Sequence, residues 1–375
     1  MKTMKRYLPY VLLTAAIMLP LLLPGYILTV DLVFTPELRL PENITNDYLW
    51  HSLLFVLNQI IPSQLIEKAI LTAIPLLSAI GMHRLLEILL ASKTHHAEKA
   101  DTPHSPRKLN RSGAEKHLLE TTGSKSVFTR VSGFFGEWGV SATYQRWAIY
   151  AASIFYAVNP FTYSRFIAGQ YAVLLGYALV PFFVRALLEF IVRPSHKTLG
   201  WVIGITLAVS IISIHTLGSL FVITVVILGM AGWQQRHNTE ALRKYATLGL
   251  AGLGVFILAS GYWLIPLALG QNETAHTVGQ FDQAHTEAFA TAGDNAFMQL
   301  INVLKLQGFW LESRGQFALP QDQLPGWGTV RLAVWFLVGW GLVWCWRKSR
   351  QLAIVLSAVG AIAMMLAIGL PGSLL

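Results

Sequence analysis

Residues 199–233 read LGWVIGITLAVSIISIHTLGSLFVITVVILGMAGW, thirty-five residues without one Lys, Arg, Asp or Glu. As a single helix this run extends about 52 Å, against a bilayer hydrocarbon core of about 30 Å. It therefore folds as a hairpin of two short spans. The tip falls at Ser213-Ile214-His215-Thr216, because a break there returns Arg236, Arg243 and Lys244 to the side that already holds Arg193 and Lys197. A single crossing puts those two groups on opposite sides.

The same sorting runs through the chain. Segments 1–7, 92–146, 193–197, 234–245 and 347–350 hold 20 of the 28 Lys and Arg residues. Ten of the 19 carboxylates lie instead between Asp31 and Asp47 or between Glu273 and Asp322. Basic residues in short loops stay on the cytoplasmic side, so the N-terminus is expected inside. The predicted fold class is all-α: a polytopic membrane helix bundle with about nine transmembrane helices, an amphipathic juxtamembrane helix and one large outer loop.

The predicted spans are 8–30, 63–90 (kinked near Pro75), 147–158 with its flanks, 171–192, the two arms of 199–233, 246–266, 330–346 and a last one ending at Leu370. They group into units 1–91, 92–146, 147–266, 267–329 and 330–375. The second of these is polar, without helical period, and is expected to be a mostly disordered cytoplasmic loop. His83, Arg84 and Glu87 are expected to snorkel at the inner interface. Arg185 and Glu189, four apart, can pair on one helix face. The chain stops five residues after the last span, which fits either an incomplete reading frame or a shortened paralogue.

Composition agrees. The 375 residues are 54% hydrophobic and 13% charged, with mean hydropathy +0.51, where soluble domains carry about 25% charged residues. The net charge of +9 follows from the inside bias and anionic lipid headgroups, so no nucleic-acid partner is expected. The single Cys345 excludes a disulfide framework or a multi-cysteine metal site. No Walker loop, zinc-protease motif or nucleophile elbow is present.

Candidate chemistry concentrates on the outer side. Asp31 stands at the end of the first span, where it either stops the helix or supplies a carboxylate to a lipid-borne substrate. From Asp47 to Ile61 the pattern is amphipathic, with Asp47, His51 and Asn58 within about 40° of one another on a helix. That fits a helix in the outer headgroup layer, with Asp47 as either a helix cap or an acid. Asn159-Pro160 marks a turn into a short outer loop, Phe161 to Gln170. There Arg165 is flanked by aromatics and either anchors the interface or binds a phosphate. His215 at the hairpin tip is a proton carrier, a ligand or a satisfied interfacial histidine. In the long outer loop, Asp282, His285 and Glu287 match no specific metal spacing, and Trp310 offers a face for a sugar or a membrane anchor.

The stretches LPGYILTVDLVFTP (residues 23–36), Asn159 to Tyr177, Phe281 to Thr291 and Asn302 to Trp310 resemble a family of uncharacterised prokaryotic polytopic membrane proteins. That family is similar to the C-type (GT-C) glycosyltransferases, integral enzymes that move a sugar from a polyprenyl-phosphate donor on the outer side of the membrane. The resemblance implies an integral protein of the prokaryotic plasma membrane, with membrane lipid, a polyprenyl-phosphate sugar donor and a glycan or lipid acceptor as partners. It implies catalytic roles for Asp31 or Asp47 in accepting the acceptor's proton. Arg165 then stabilises the departing phosphate, with His51, Gln170, His215 and Trp310 as substrate contacts and a divalent cation, Mg or Mn, as a conceivable cofactor. Two other functions compete: a carrier or flippase for a lipid-linked glycan, and an inactive assembly subunit. Span centres almost free of charge argue against the carrier.

Overall fold

The computed structural model describes residues 2–90, 142–271, 276, 279–280, 291–309, 312, 319–348 and 350–368. They are all-α. In chain order the helices are α1 (Lys2–Met18), α2 (Tyr48–Asn58), α3 (Ser63–Leu90), α4 (Ala142–Ala157), α5 (Pro160–Ala168), α6 (Tyr171–Val192), α7 (His196–Ile212), α8 (Ile214–Gln234), α9 (Thr239–Ala268), α10 (Ala296–Leu304), α11 (Trp327–Lys348) and α12 (Arg350–Ala367), with single helical turns at Leu19–Leu21 and Pro320–Gln323.

Five helices, α3, α6, α8, α9 and α11, are long and apolar enough to cross a membrane. The outward faces of α8, α9 and α11 carry Phe221, Leu250, Leu258, Leu332 and Phe336, each 66–83% exposed. A bilayer removes the cost of leaving such side chains uncovered. The helices α7 and α12 are apolar but shorter. The break between α7 and α8 falls at Ser213, whose extended backbone and side chain, accepting from the Thr216 amide, cap the second arm. The Arg185 guanidinium meets Glu189 at 2.9 Å on α6.

Two larger apolar cores and two smaller ones hold the bundle. One of the larger pair joins Met18, Leu32, Phe34, Leu54, Leu71, Ile74 and Leu174, binding the end of α1, the segment after it, α2, α3 and α6. The other joins Phe183, Leu187, Phe190, Val209, Leu220 and Leu248, binding α6 to α9. Close approach at two crossings depends on absent side chains: a Cβ at Gly81 meets the Phe182 ring, and one at Gly176 meets Thr216.

Three sequence expectations are corrected. The helix of the first span ends at Met18, not near residue 30, and the chain runs without regular helix from Leu22 to Asp47. Pro20 and Pro24 lack the amide a helix requires, and Gly25 adopts φ +115°. The supposed loop Phe161 to Gln170 is mostly the helix α5. Finally, His83 does not snorkel. It is buried, with Tyr10 Oη 2.5 Å from its Nδ1 and Arg6 Nε 3.0 Å from its Nε2, while Arg6 also pairs with Glu87. The disordered-loop expectation lies outside the described residues, apart from 142–146, which open α4.

Candidate functional site

The site is built on the segment after α1. With no helix of its own, this segment takes its hydrogen bonds from α2 and α3. The Lys68 ammonium donates to the Leu23 carbonyl, the Gly25 amide to Gln64 Oε1, and the Ile27 amide to both oxygens of Glu67. Further on, Ser63 Oγ donates to the Thr35 carbonyl at 2.6 Å, and the Leu38 amide to Asn58 Oδ1 at 2.8 Å. Leu32 and Phe34 point into the core beneath. Their burial is worth about 1.5–3 kcal/mol each against exposure to water.

Asp31 lies at the tip of this segment, one residue before buried Leu32. Its backbone amide donates to the Ala168 carbonyl at the end of α5, 2.9 Å away, filling one of the acceptors a helix leaves open. The helix α5 is specified locally. Asn159 caps it, exchanging hydrogen bonds with Thr162, Pro160 opens it, and Gly169 closes it at φ +81°. That closing turn carries Gln170 back over Arg165.

The result is a chain of three side chains. Gln170 Nε2 donates to Asp31 Oδ2 at 2.8 Å, and Arg165 Nη1 donates to Gln170 Oε1 at 2.7 Å. Arg165 lies over the Phe309 ring at 4.1 Å and near Phe161 at 5.5 Å. Its Nε is buried without a hydrogen-bond partner among the described residues. Burial pushes the guanidinium down to about 10, partly opposed by Asp31. It is still a cation at neutral pH.

Two cavities flank the chain. One, about 790 Å³, is lined by Asp31, Thr35, Glu37, Arg39, His51 and Tyr171. The other, about 530 Å³, is mainly apolar and is lined by Arg165, Phe161, Phe309, Leu306, Trp335 and Val338 among others. The Gln170 amide therefore joins a cavity of mixed lining that contains the Asp31 carboxylate to a mainly apolar one that contains the Arg165 cation and Glu312.

Asp47 and His51 stand on α2, where the amphipathic pattern predicts a helix. Leu54 of this helix is buried, while Leu49, Leu53, Val56 and Ile60 form an exposed stripe. Asp47 occupies the cap position but makes no capping hydrogen bond with its side chain. It accepts instead from Thr45 Oγ1 at 2.5 Å and lies 3.4 Å from His51 Nε2. The interaction with His51 holds its carboxyl below the usual carboxylate range, against the opposing effect of burial.

Of the predicted site residues, Asp31, Gln170 and Arg165 come together directly, and His51 joins them across the larger cavity with Asp47 behind it. His215 is exposed on the first turn of α8 and lines neither cavity. Trp310, Asp282, His285 and Glu287 lie outside the described residues. Among the described residues no three His, Cys, Asp or Glu side chains are grouped to hold a metal ion. Glu67 and Lys68 were not singled out by sequence reasoning, although two adjacent charges at the start of an apolar span were the available signal. Compared with family models, curated proteins and solved structures, the chain matches none of them.

Proposed function

We propose that this chain transfers a sugar from a polyprenyl-phosphate donor on the extracytoplasmic side of the membrane, as a GT-C-like glycosyltransferase with about nine spans and its N-terminus inside. The observation that carries the reading is the Asp31–Gln170–Arg165 chain between a cavity lined by charged and apolar side chains and a mainly apolar one. An isoprenoid tail suits the apolar cavity, and a phosphate suits the buried guanidinium with its spare Nε–H. The sugar then lies toward Asp31.

Breaking the bond between the anomeric carbon and the phosphate oxygen develops positive charge on the sugar and negative charge on the leaving group. A carboxylate on one side and a guanidinium on the other oppose those two charges. Gln170 fixes the distance between them, its two hydrogen bonds leaving the amide no freedom to turn over. The larger cavity, open to the outside, leaves room for the acceptor.

The test is incubation of the purified protein, with its native lipids, with a panel of polyprenyl-phosphate sugars, following release of the lipid phosphate. Wild-type turnover with at least one donor, reduced at least about 100-fold by Asp31→Asn, is expected. Turnover with no donor overturns the transfer reading.

A further inference from the structure

The carboxylate and the guanidinium account for charge but leave the acceptor's proton without a destination. We infer that His51, held by Asp47, removes that proton, while Asp31 faces the anomeric carbon. This inference rests on the transfer reading above.

His51 lines the same cavity as Asp31. It sits in the first turn of α2, its backbone amide donating to the Asp47 carbonyl at 2.9 Å. Its Nε2 faces Asp47 Oδ2 at 3.4 Å, and Thr45 Oγ1 fixes the other oxygen of that carboxylate. With the proton on Nε2 directed at Asp47, the lone pair of Nδ1 is left free. No hydrogen-bond partner takes Nδ1 among the described residues. A histidine that lines a cavity, oriented by a carboxylate and with its second nitrogen unengaged, is the arrangement a general base needs. Asp31, by contrast, already has one oxygen occupied by Gln170.

The step balances. The acceptor oxygen bonds to the anomeric carbon as that carbon's bond to the phosphate oxygen breaks. The electron pair leaves with the phosphate toward Arg165, and the acceptor proton passes to Nδ1. The imidazolium is then stabilised by Asp47 and loses its proton to water through the open cavity. Asp31, Glu37, Arg39 and Tyr171 are the other charged or titratable groups lining the cavity around His51.

The experiment is a pH–rate profile of the full chain with a donor that turns over. A histidine base puts the acidic limb at about pH 6–7, and a carboxylate base puts it about two units lower. His51→Gln is expected to lower kcat about 100-fold and remove that limb. His51→Ala is expected to regain activity when imidazole is added, which a merely structural role does not allow. Asp47→Asn is expected to lower kcat, since the imidazole loses the carboxylate that orients it. An unchanged rate and profile in His51→Gln, or a wild-type limb near pH 4, overturns the assignment to His51 while leaving sugar transfer intact. A wild type that turns over no donor overturns the transfer reading, and the role of His51 with it.

Discussion

Asp47 has two partners besides its own backbone, and both favour its charged form. The His51 interaction is the larger and the Thr45 hydroxyl the smaller, with burial working against them. Because its folded pKa lies below the unfolded value, the contribution of Asp47 to stability is present above about pH 4 and is lost as pH falls through the folded value. Thermal unfolding of wild type and Asp47→Asn in detergent is expected to differ at neutral pH and to converge in strong acid. A difference that grows on acidification contradicts this account. At this scale the sequence was informative about members but silent about partnerships. Asp31, Arg165 and Gln170 each stood out by residue type and position, yet 139 residues separate Asp31 from Gln170. Nothing in either local stretch encodes that contact. His215 carried the same signals as His51, but only the fold shows that one faces a cavity and the other does not.

Elements read best where local chemistry alone decides them. The amphipathic run after Asp47 became α2, and Tyr171–Val192 became α6, because helical period and apolar length need no tertiary help. The first span misread its own prolines: an apolar run of sufficient length stops at Met18 because the chain beyond is held by Glu67, Lys68 and Ser63 rather than by itself. For α5 the cap signals Asn159, Pro160 and Gly169 were all present, and reading Asn-Pro only as a turn concealed them. Gly169 ties this element to the site. A Cβ there meets the Thr29 hydroxyl and stands 2.5 Å from the Leu32 nitrogen, and the backbone is left-handed. Gly169→Ala is therefore expected to cost about 1–3 kcal/mol in backbone strain and packing. It also pushes the Asp31 segment off α5. The expected readout is a lowered Tm together with loss of turnover, whereas Gly200→Ala, within α7 and with nothing near its added methyl, lowers neither. Equal effects of the two substitutions would refute the close-approach argument.

Across the whole molecule, the long helix α6 sets the scale. Its Tyr171 end meets the Asp31 site and its Val192 end leads to Arg193, near Arg243 and Lys244, so the candidate site and this basic group lie toward opposite ends of α6. With the buried Cys345 replaced by Ala, single cysteines at Val33 and Lys244, both exposed, probe the two ends. An impermeant maleimide added outside sealed cells is expected to label position 33 and leave 244 untouched; labelling at 244 contradicts the proposed topology. The central claim is that Arg165 receives a lipid-linked phosphate, and every polyprenyl-phosphate donor shares that group whatever its sugar. Its most direct test is binding of polyprenyl phosphate to the protein in nanodiscs, with unphosphorylated polyprenol as control. A charge-assisted hydrogen bond is worth about 1.5–3 kcal/mol, so Arg165→Gln is expected to weaken polyprenyl phosphate binding at least about tenfold and leave polyprenol binding unchanged. Equal affinity of wild type and Arg165→Gln for polyprenyl phosphate contradicts the account.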